Sequence, residues 1–533
     1  MADRPDVVAA LLDAAREHPA APALTGPDGE TLTHRELSTR IVAVASRLRE
    51  AGFAPGERML FSVRPGPDSV VLALGVVAAG GCVVFLDPGV GPELFAARTG
   101  LARARWAAAE SMLYTVGRRP LRPLARRRGV LLPDYAALPV RHVHTGRWLP
   151  GVPRGALALS DLQRPVGIPE PPGTPVRYAP EQDAVVVFTA GTTASPRAVV
   201  HTRGSLGSAL DVLAARCALG PGSRVHTHQF LLGLPALTGG GHWSMPPYGL
   251  APGSDPDEIA RGLTGATHTF LVPADLSALL DRIADGVLPV PPRLRQVLVG
   301  AAPVLAPLLR RASSLLPGVE ILAVYGMTEI LPVAVATATQ KLAFDGDGDL
   351  LGAPLPGVRV RVDDDGHLLV RGPNMARGHL GGPELTEHDT GDLARIEAGR
   401  IVLVGRAKDM IIRKSTNIYP GLYEPAVADL PGVAEAYLVG VPDGIGDERV
   451  VLLLRPAQGA PADLADRVRE VLPRIMDSSA LPDRVLTVTN VPRDGRTRKP
   501  DRTAMTRLAA HRLEAPVPAP RTPRAGSRFR ARR

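Results

Sequence analysis

Only two cysteines, Cys82 and Cys217, occur in 533 residues. That is too few for a disulfide framework or a cysteine zinc site, and it fits a reducing compartment. Aromatic residues make up 4%, so a core has to be assembled from Ala, Val and Leu. The apolar run Val70 to Leu86 is 17 residues and is broken by Gly75, Gly80 and Gly81. Spanning a bilayer takes about 20 predominantly apolar residues. The opening MADRPDVVAALLDAAREHP puts charge where an export signal needs an apolar run. These shortages exclude membrane-spanning, secreted and collagen-like classes, and the expected location is cytoplasmic. Lysine is also scarce: of 62 basic residues only Lys341, Lys408, Lys414 and Lys499 are lysine. In a chain so biased toward Arg, a retained Lys hints at a place where a planar fork would not serve.

What is present is ordinary globular material, with 45% hydrophobic and 22% charged residues. The length prior is about three to four units of ~150 residues, which large α/β domains can merge. The net charge of +9 is concentrated. EAPVPAPRTPRAGSRFRARR, residues 514–533, carries six Arg against one Glu, and GRRPLRPLARRRG, 117–129, carries six more Arg. A solvated basic tail, rich in Pro and Gly and expected to be disordered, explains this better than a nucleic-acid site. No specific nucleic-acid partner is expected.

Along the chain, Thr33 and Glu36 form a capping-box pair opening an amphipathic helix that ends at Gly52. MLFSV, DSVVLALGVVAAGG and CVVFLDP then read as strand, helix and strand of a βαβ crossover. Residues 115–180, rich in Pro and Arg, read as an irregular connection. From 183 the α/β rhythm returns, residues 350–405 are strand-rich, and a smaller α+β unit runs from near Lys408 to about Leu513.

Four motifs carry chemistry. TAGTTASPR, 189–197, offers backbone N–H groups, hydroxyls and a cation, as a polyphosphate requires. It lacks the Walker A pattern, and by itself it also fits a polar turn. YGMTE, 325–329, places a stacking face beside a hydroxyl and a carboxylate suited to Mg²⁺, or forms a Gly turn before a helix cap. DTGD, 389–392, with Arg406 fourteen residues on, presents a carboxylate to the hydroxyls of a ribose, or is a β-turn Asp. PRDGRTRKPDR, 492–502, is a basic loop offering Lys499, or a solvated turn.

In this order and spacing the four motifs resemble the adenylate-forming superfamily of acyl-CoA synthetases, nonribosomal-peptide adenylation domains and luciferases. The resemblance covers almost all of residues 30–510. It implies an α/β fold: a large N-terminal domain of two doubly covered sheets plus a small β-barrel-like subdomain, and a smaller mobile α+β C-terminal domain. The implied boundaries are 1–407, 408–513 and a basic tail, 514–533. It implies ATP and Mg²⁺, with the loop containing Thr189, Gly191, Thr192, Thr193 and Arg197 on the phosphates, and Thr192 and Glu329 at the metal. Tyr325, Gly326 and Thr328 would frame the adenine side, and Ala301, Ala302 and Pro303 of VGAAPV would line the adenine and acyl pockets. Asp392 and Arg406 would hold the ribose, Lys408 would be the hinge, and Lys499 would bridge carboxylate and α-phosphate. The catalytic set is thus Lys499, Arg197 and Glu329. The expected activity is ATP-dependent activation of a carboxylic acid, fatty or aliphatic, to an acyl-adenylate. Transfer to CoA or a carrier-protein phosphopantetheine thiol would follow.

The chain departs from the family in places. Ala190, Ala194, Arg197 and Ala198 stand where Ser, Gly, Lys and Gly are usual. Phe230 takes an aromatic-or-His position before the acyl pocket. Ser415 replaces the glycine beside the pantetheine path, Leu422 replaces a usual Glu, and Lys499 lies one residue late, after Arg498. FLDPGVG, the Arg-rich 117–129 and YGMTEILPVA look like the β-lactone synthetases of olefin biosynthesis. Two alternatives therefore stand beside thiol transfer: closure of a β-hydroxy acid without CoA, and an inert nucleotide- or acyl-binding homologue.

Overall fold

The computed structural model describes residues 6–89, 92–118, 132–165, 179–189, 197–249, 254–406, 409–413, 416–442, 448–476, 480–494 and 499–514. The chain divides into two compact units, Met1–Ala407 and Lys408–Arg533. Among the described residues no helix is long and apolar enough to cross a membrane.

The helix His34–Glu50 begins as the sequence predicts. The Thr33 hydroxyl accepts from Glu36 N at 3.2 Å, and the Glu36 carboxylate accepts from Thr33 N at 2.8 Å. Two of the orphan amides at the helix start are thereby satisfied. The crossover Arg58–Ser62, Pro67–Ala78, Cys82–Phe85 also forms, with its strands parallel. It lies in an eight-stranded sheet. In order across that sheet run Gly378–His379, Ala198–Thr202, Asp183–Phe188, Cys82–Phe85, Arg58–Ser62, Trp106–Glu110, Arg141–Thr145 and Leu157–Ala158. The last two strands correct the irregular reading of 115–180. Arg141–Thr145 is short and embedded in turn-rich sequence, yet it pairs in parallel with Trp106–Glu110 and buries His142, Val143 and His144.

A thirteen-stranded sheet holds the rest of the larger unit. Its parallel part runs Glu320–Met327, Gln296–Val299, His268–Leu271, Arg224–His226, His242–Ser244 and Pro22–Thr25. On the other side of Glu320–Met327 come Ile330–Thr337, Asp349–Pro354, Arg400–Arg406 and His388–Glu397, all antiparallel. In a flat sheet His388–Glu397 would lie about 19 Å from Glu320–Met327, four steps of ~4.8 Å. Yet Tyr325 on one touches Asp392 on the other, O–O 2.6 Å. The strands therefore curl back on themselves, giving the small barrel-like part. Bends are visible as register shifts at Leu350/Gly352 and Leu393/Ala394. Gly352, at φ +98°, passes so close to Val335 that a Cβ would sit 2.5 Å from its carbonyl oxygen. Only glycine serves there.

The core matches the shortage of aromatics. Val, Leu and Ala fill it, with Trp106, Trp243, Tyr114, Tyr135, Phe53 and Phe61 as its few large, fully enclosed rings. In the smaller unit Val433–Pro442, Glu448–Pro456 and Arg484–Thr487 form a three-stranded sheet, and Ile411–Arg413 pairs with Thr416–Ile418. The helix Arg502–Glu514 packs Met505 and Ala509 onto Val439, Val451 and Leu453.

Candidate active site

The glycine–threonine loop joins two antiparallel strands, Asp183–Phe188 and Ala198–Thr202, and closes where Thr189 N–H donates to the Arg197 carbonyl at 3.0 Å. Gly191, Thr192 and Thr193 lie outside the described residues. Arg197, at the exit of the loop, is exposed.

From that exit a short series of contacts leads to YGMTE. Ala198–Thr202 pairs with Gly378–His379, and Leu380 N donates to Ala198 O at 2.7 Å. One turn back along the same segment, Ala376 N donates to Glu329 O at 2.7 Å. His201 Nε2 donates to the Thr328 carbonyl at 2.7 Å, and burial holds its imidazole below the usual pKa. A neutral ring with its proton on Nε2 is what that bond needs. The fold thus brings the Arg197 stem beside Thr328 and Glu329, 127 residues apart for the His201–Thr328 pair. Thr328 and Glu329 form the turn between Glu320–Met327 and Ile330–Thr337 and do not cap a helix. Gly326 admits this tight hairpin, since a Cβ there would meet Leu331 Cδ1 at 2.5 Å.

The Glu329 side chain is 15% exposed and its carboxylate lies 3.4 Å from His379 Nε2. His388, nearby, is held below the ordinary imidazole value first by burial, which outweighs the pull of Glu329 toward the charged form. Asn374, fully enclosed, fixes the same turn by donating to Pro332 O at 2.7 Å.

A second group forms around Tyr325, whose hydroxyl donates to Asp392 Oδ2 at 2.6 Å. Asp392 is 1% exposed, and its own N–H donates to Thr390 Oγ1 at 3.1 Å. Arg406 stands opposite Asp392 in the ladder. Ala301, Ala302 and Pro303 follow the strand Gln296–Val299, whose Val299 pairs with Ala323 two residues before Tyr325. Ala301 has φ +64°, a left-handed conformation uncommon without glycine. These residues gather at the carboxyl ends of parallel strands, where open α/β sheets bind ligands.

Phe230 opens the helix Phe230–Thr238 and packs its ring against Phe85 at 6.1 Å and Trp243 at 5.3 Å. In the smaller unit Lys499 is exposed on its loop, and Lys408, Lys414 and Ser415 lie outside the described residues. His201, His379, His388 and Asn374 escaped sequence reasoning. Isolated polar residues near strand ends give no periodic signal, and only pairings remote in sequence bring His201, His379 and His388 near the Thr328–Glu329 turn.

Among the described residues no group of three or more His, Cys, Asp or Glu is arranged to hold a metal. A lone carboxylate on a turn suits a hard cation that takes its remaining oxygens from phosphates and water, as Mg²⁺ does. Glu329 fits such an ion.

The family model of the AMP-binding enzyme matches residues 11–380, and that of the AMP-binding enzyme C-terminal domain matches 423–499. Among curated proteins, a salicylyl-CoA synthase / salicylate adenylyltransferase of Streptomyces sp is 28% identical over 514 residues, 87% of each chain. A feruloyl-CoA synthase of Amycolatopsis sp is 29% identical over 469 residues, 82% of this chain and 86% of that one. Among solved structures, the amide bond synthetase McbA from Marinactinospora thermotolerans superposes with a TM-score of 0.74 at 23% identity. That match covers 94% of this chain and 99% of the other, a likeness of fold.

Proposed function

We propose that this chain, which belongs to the AMP-binding enzyme family, is an ATP-dependent, AMP-forming acid–thiol ligase. A carboxylate oxygen attacks the α-phosphorus of ATP, the new O–P bond forms, and the bond from that phosphorus to the bridging oxygen breaks. Pyrophosphate leaves and an acyl-adenylate remains. A thiolate of CoA or a carrier protein then attacks the acyl carbonyl, and AMP departs.

The observation that carries this reading is the convergence in the larger unit. Tyr325 and Asp392 meet at 2.6 Å, and His201 joins the strand after Arg197 to Thr328 at 2.7 Å. In this assignment the Tyr325 ring stacks on adenine, and its hydroxyl orients Asp392 toward the ribose. Arg406, across the ladder from Asp392, belongs to the same subsite. Thr189, Gly191, Thr192, Thr193 and Arg197 hold the triphosphate, while Ala301, Ala302 and Pro303 line the base and acyl pockets. Glu329, with Thr192, would hold Mg²⁺, which when bound neutralises charge on the phosphates. His379 Nε2 lies 3.4 Å from the Glu329 carboxylate. Lys499 neutralises charge building on the oxygens around the α-phosphorus. The chemistry needs placement and neutralisation and little covalent participation from the protein. The relatives named for salicylate and ferulate extend the candidate substrates from aliphatic acids to aryl acids.

Full-length protein, ATP, Mg²⁺ and CoA would be incubated with aliphatic, aryl and β-hydroxy acids, and pyrophosphate, AMP and acyl products measured. Acid-dependent pyrophosphate with acyl-CoA is expected. Lys499→Ala should slow adenylate formation by about 10²–10³, the worth of one well-placed charge donor. A lactone formed without CoA would replace the thiol acceptor, and no pyrophosphate with any acid would overturn the assignment.

A further inference from the structure

The loop that bears Lys499 is braced at both stems by half-buried ion pairs. Before it, Arg493 reaches Glu435, whose carboxylate also accepts from Arg455 Nε at 2.5 Å and from the Tyr437 hydroxyl at 2.7 Å. After it, Arg502 makes three contacts. Its Nη2 donates to Glu424 Oε2 at 2.6 Å, its Nη1 donates to Leu438 O at 2.9 Å, and its Nε lies 3.1 Å from Asp409 Oδ2. Glu424 is in turn fixed by Leu438 N, at 2.7 Å. Within the loop, Asp494 N donates to Lys499 O at 2.8 Å, Lys499 N donates to Asp494 Oδ1 at 3.0 Å, and Asp501 N donates to Pro492 O at 3.0 Å. Arg493 and Pro500 form a β-bridge. The Lys499 backbone is therefore held while its side chain stays exposed.

We infer that Arg502 is a positioning residue for Lys499. It ties the loop to Glu424 on the helix Pro420–Ala428 and to Asp409, the second residue of the smaller unit. Any displacement of the segment entering that unit then carries Lys499 with it as one body. The guanidinium suits this task because it spends separate N–H groups on two carboxylates and a carbonyl, which a single ammonium does less directionally. Arg502 touches no reacting atom; it acts through Lys499. The inference rests on the ligase reading, because it needs Lys499 to act in adenylation.

The test uses full-length protein, the acid that wild type activates fastest, and two separate assays. ATP–pyrophosphate exchange reports adenylation, and thioester formation from supplied acyl-adenylate reports the second half-reaction. Arg502→Gln should slow exchange by between about ten- and a hundredfold, as loss of alignment does. Its KM for ATP and its rate of thioester formation should stay near wild type. In a Lys499→Ala background the same substitution should cause no further loss of exchange. Asp409→Asn, which removes one contact only, gives the smaller effect of the same kind and serves if Arg502→Gln does not fold. An equal fall in both assays, a further loss in the Lys499→Ala background, or unchanged exchange in both variants would overturn the inference alone. No exchange by wild type with any acid would overturn the ligase reading and the inference with it.

Discussion

Replacing Tyr325 by Phe removes one oxygen and keeps the ring. The oxygen lost is the donor of a 2.6 Å bond to Asp392, a carboxylate that is 1% exposed. A hydrogen bond to a charged acceptor contributes about 1.5–3 kcal/mol net, and withdrawing it from a buried carboxylate sits toward the upper end. The bond also closes the curl between the strands Glu320–Met327 and His388–Glu397, so its loss should appear as reduced stability of the larger unit. Urea unfolding of wild type, Tyr325→Phe, Asp392→Ala and the double variant forms a cycle in which the coupling between the two side chains is isolated. A coupling of at least about 1 kcal/mol is expected. Function should divide differently. Asp392→Ala removes the proposed ribose acceptor and should raise the KM for ATP about ten- to a hundredfold, equivalent to ~1.4–2.8 kcal/mol. Tyr325→Phe, which keeps the stacking face, should raise it less. A coupling below about 0.5 kcal/mol, within the additivity of independent sites, or an unaltered ATP dependence in Asp392→Ala, would refute the reasoning.

At the start of the helix Arg203–Arg216, Arg203 meets Asp6 through two bonds of 2.6 Å, with side chains 1% and 5% exposed. Asp6→Ala or Arg203→Met should each cost about 3–5 kcal/mol, while the joint replacement Asp6→Leu, Arg203→Met should recover much of it; single-variant losses below ~1 kcal/mol in urea unfolding would disprove this. Burial pushes His226 down to about 4 from its usual 6.5. The unfolded chain therefore takes up the proton first as pH falls, so this stability is complete above pH 6.5 and declines toward pH 4, by up to roughly 3 kcal/mol. His34, His142 and His268 are lowered by burial too and act in the same direction. His226→Asn should flatten part of the dependence of unfolding midpoint on pH, and an unchanged slope would remove His226 as a contributor. At Ala301, φ +64°, glycine should relieve left-handed strain and stabilise by about 0.5–1 kcal/mol, raising the melting midpoint. A fall in midpoint would show that the alanine methyl contributes more by packing than it costs in strain.

Local features of the fold were open to reading where one physical rule decides the outcome. Thr33 and Glu36 make the predicted capping box because the geometry is internal to four residues. The crossover from Arg58 to Phe85 was legible because its helix is apolar on every side and its strands are short apolar runs. Arg141–Thr145 was missed because burial of His142 and His144 is stabilised by distant partners, Tyr114 and Ser111, that no local pattern announces. At Thr328 and Glu329 the local sequence suggests a Gly turn before a helix cap, but a hairpin turn forms there instead. Pairing of Met327 with Ile330 decided it, and that pairing depends on the whole sheet. The meeting of Tyr325 with Asp392 was suggested only by resemblance of motifs. Its physical cause, a sheet bent at Gly352 and the Leu393 bulge, spans 67 residues.

The distribution of lysine and arginine follows the same logic of local demand. Arg203, Arg377 and Arg502 each engage carboxylates or carbonyls through more than one nitrogen. In those settings the planar fork is the useful property, because it fixes direction as well as charge. Lys341, 6% exposed, instead places one compact ammonium between Asp349 and the Leu350 carbonyl, where a guanidinium would need more room. Lys499 differs again, being exposed, with its backbone N–H donating to Asp494. In the proposed mechanism Lys499 reaches a phosphorus-bound oxygen and lets go of it, a task that a small rotatable charge serves better than a fork. Lys499→Arg should therefore fold like wild type yet slow adenylation, with stability and exchange rate measured on the same preparation. Full exchange activity in Lys499→Arg would mean that charge alone, and not its compactness, explains why lysine persists there.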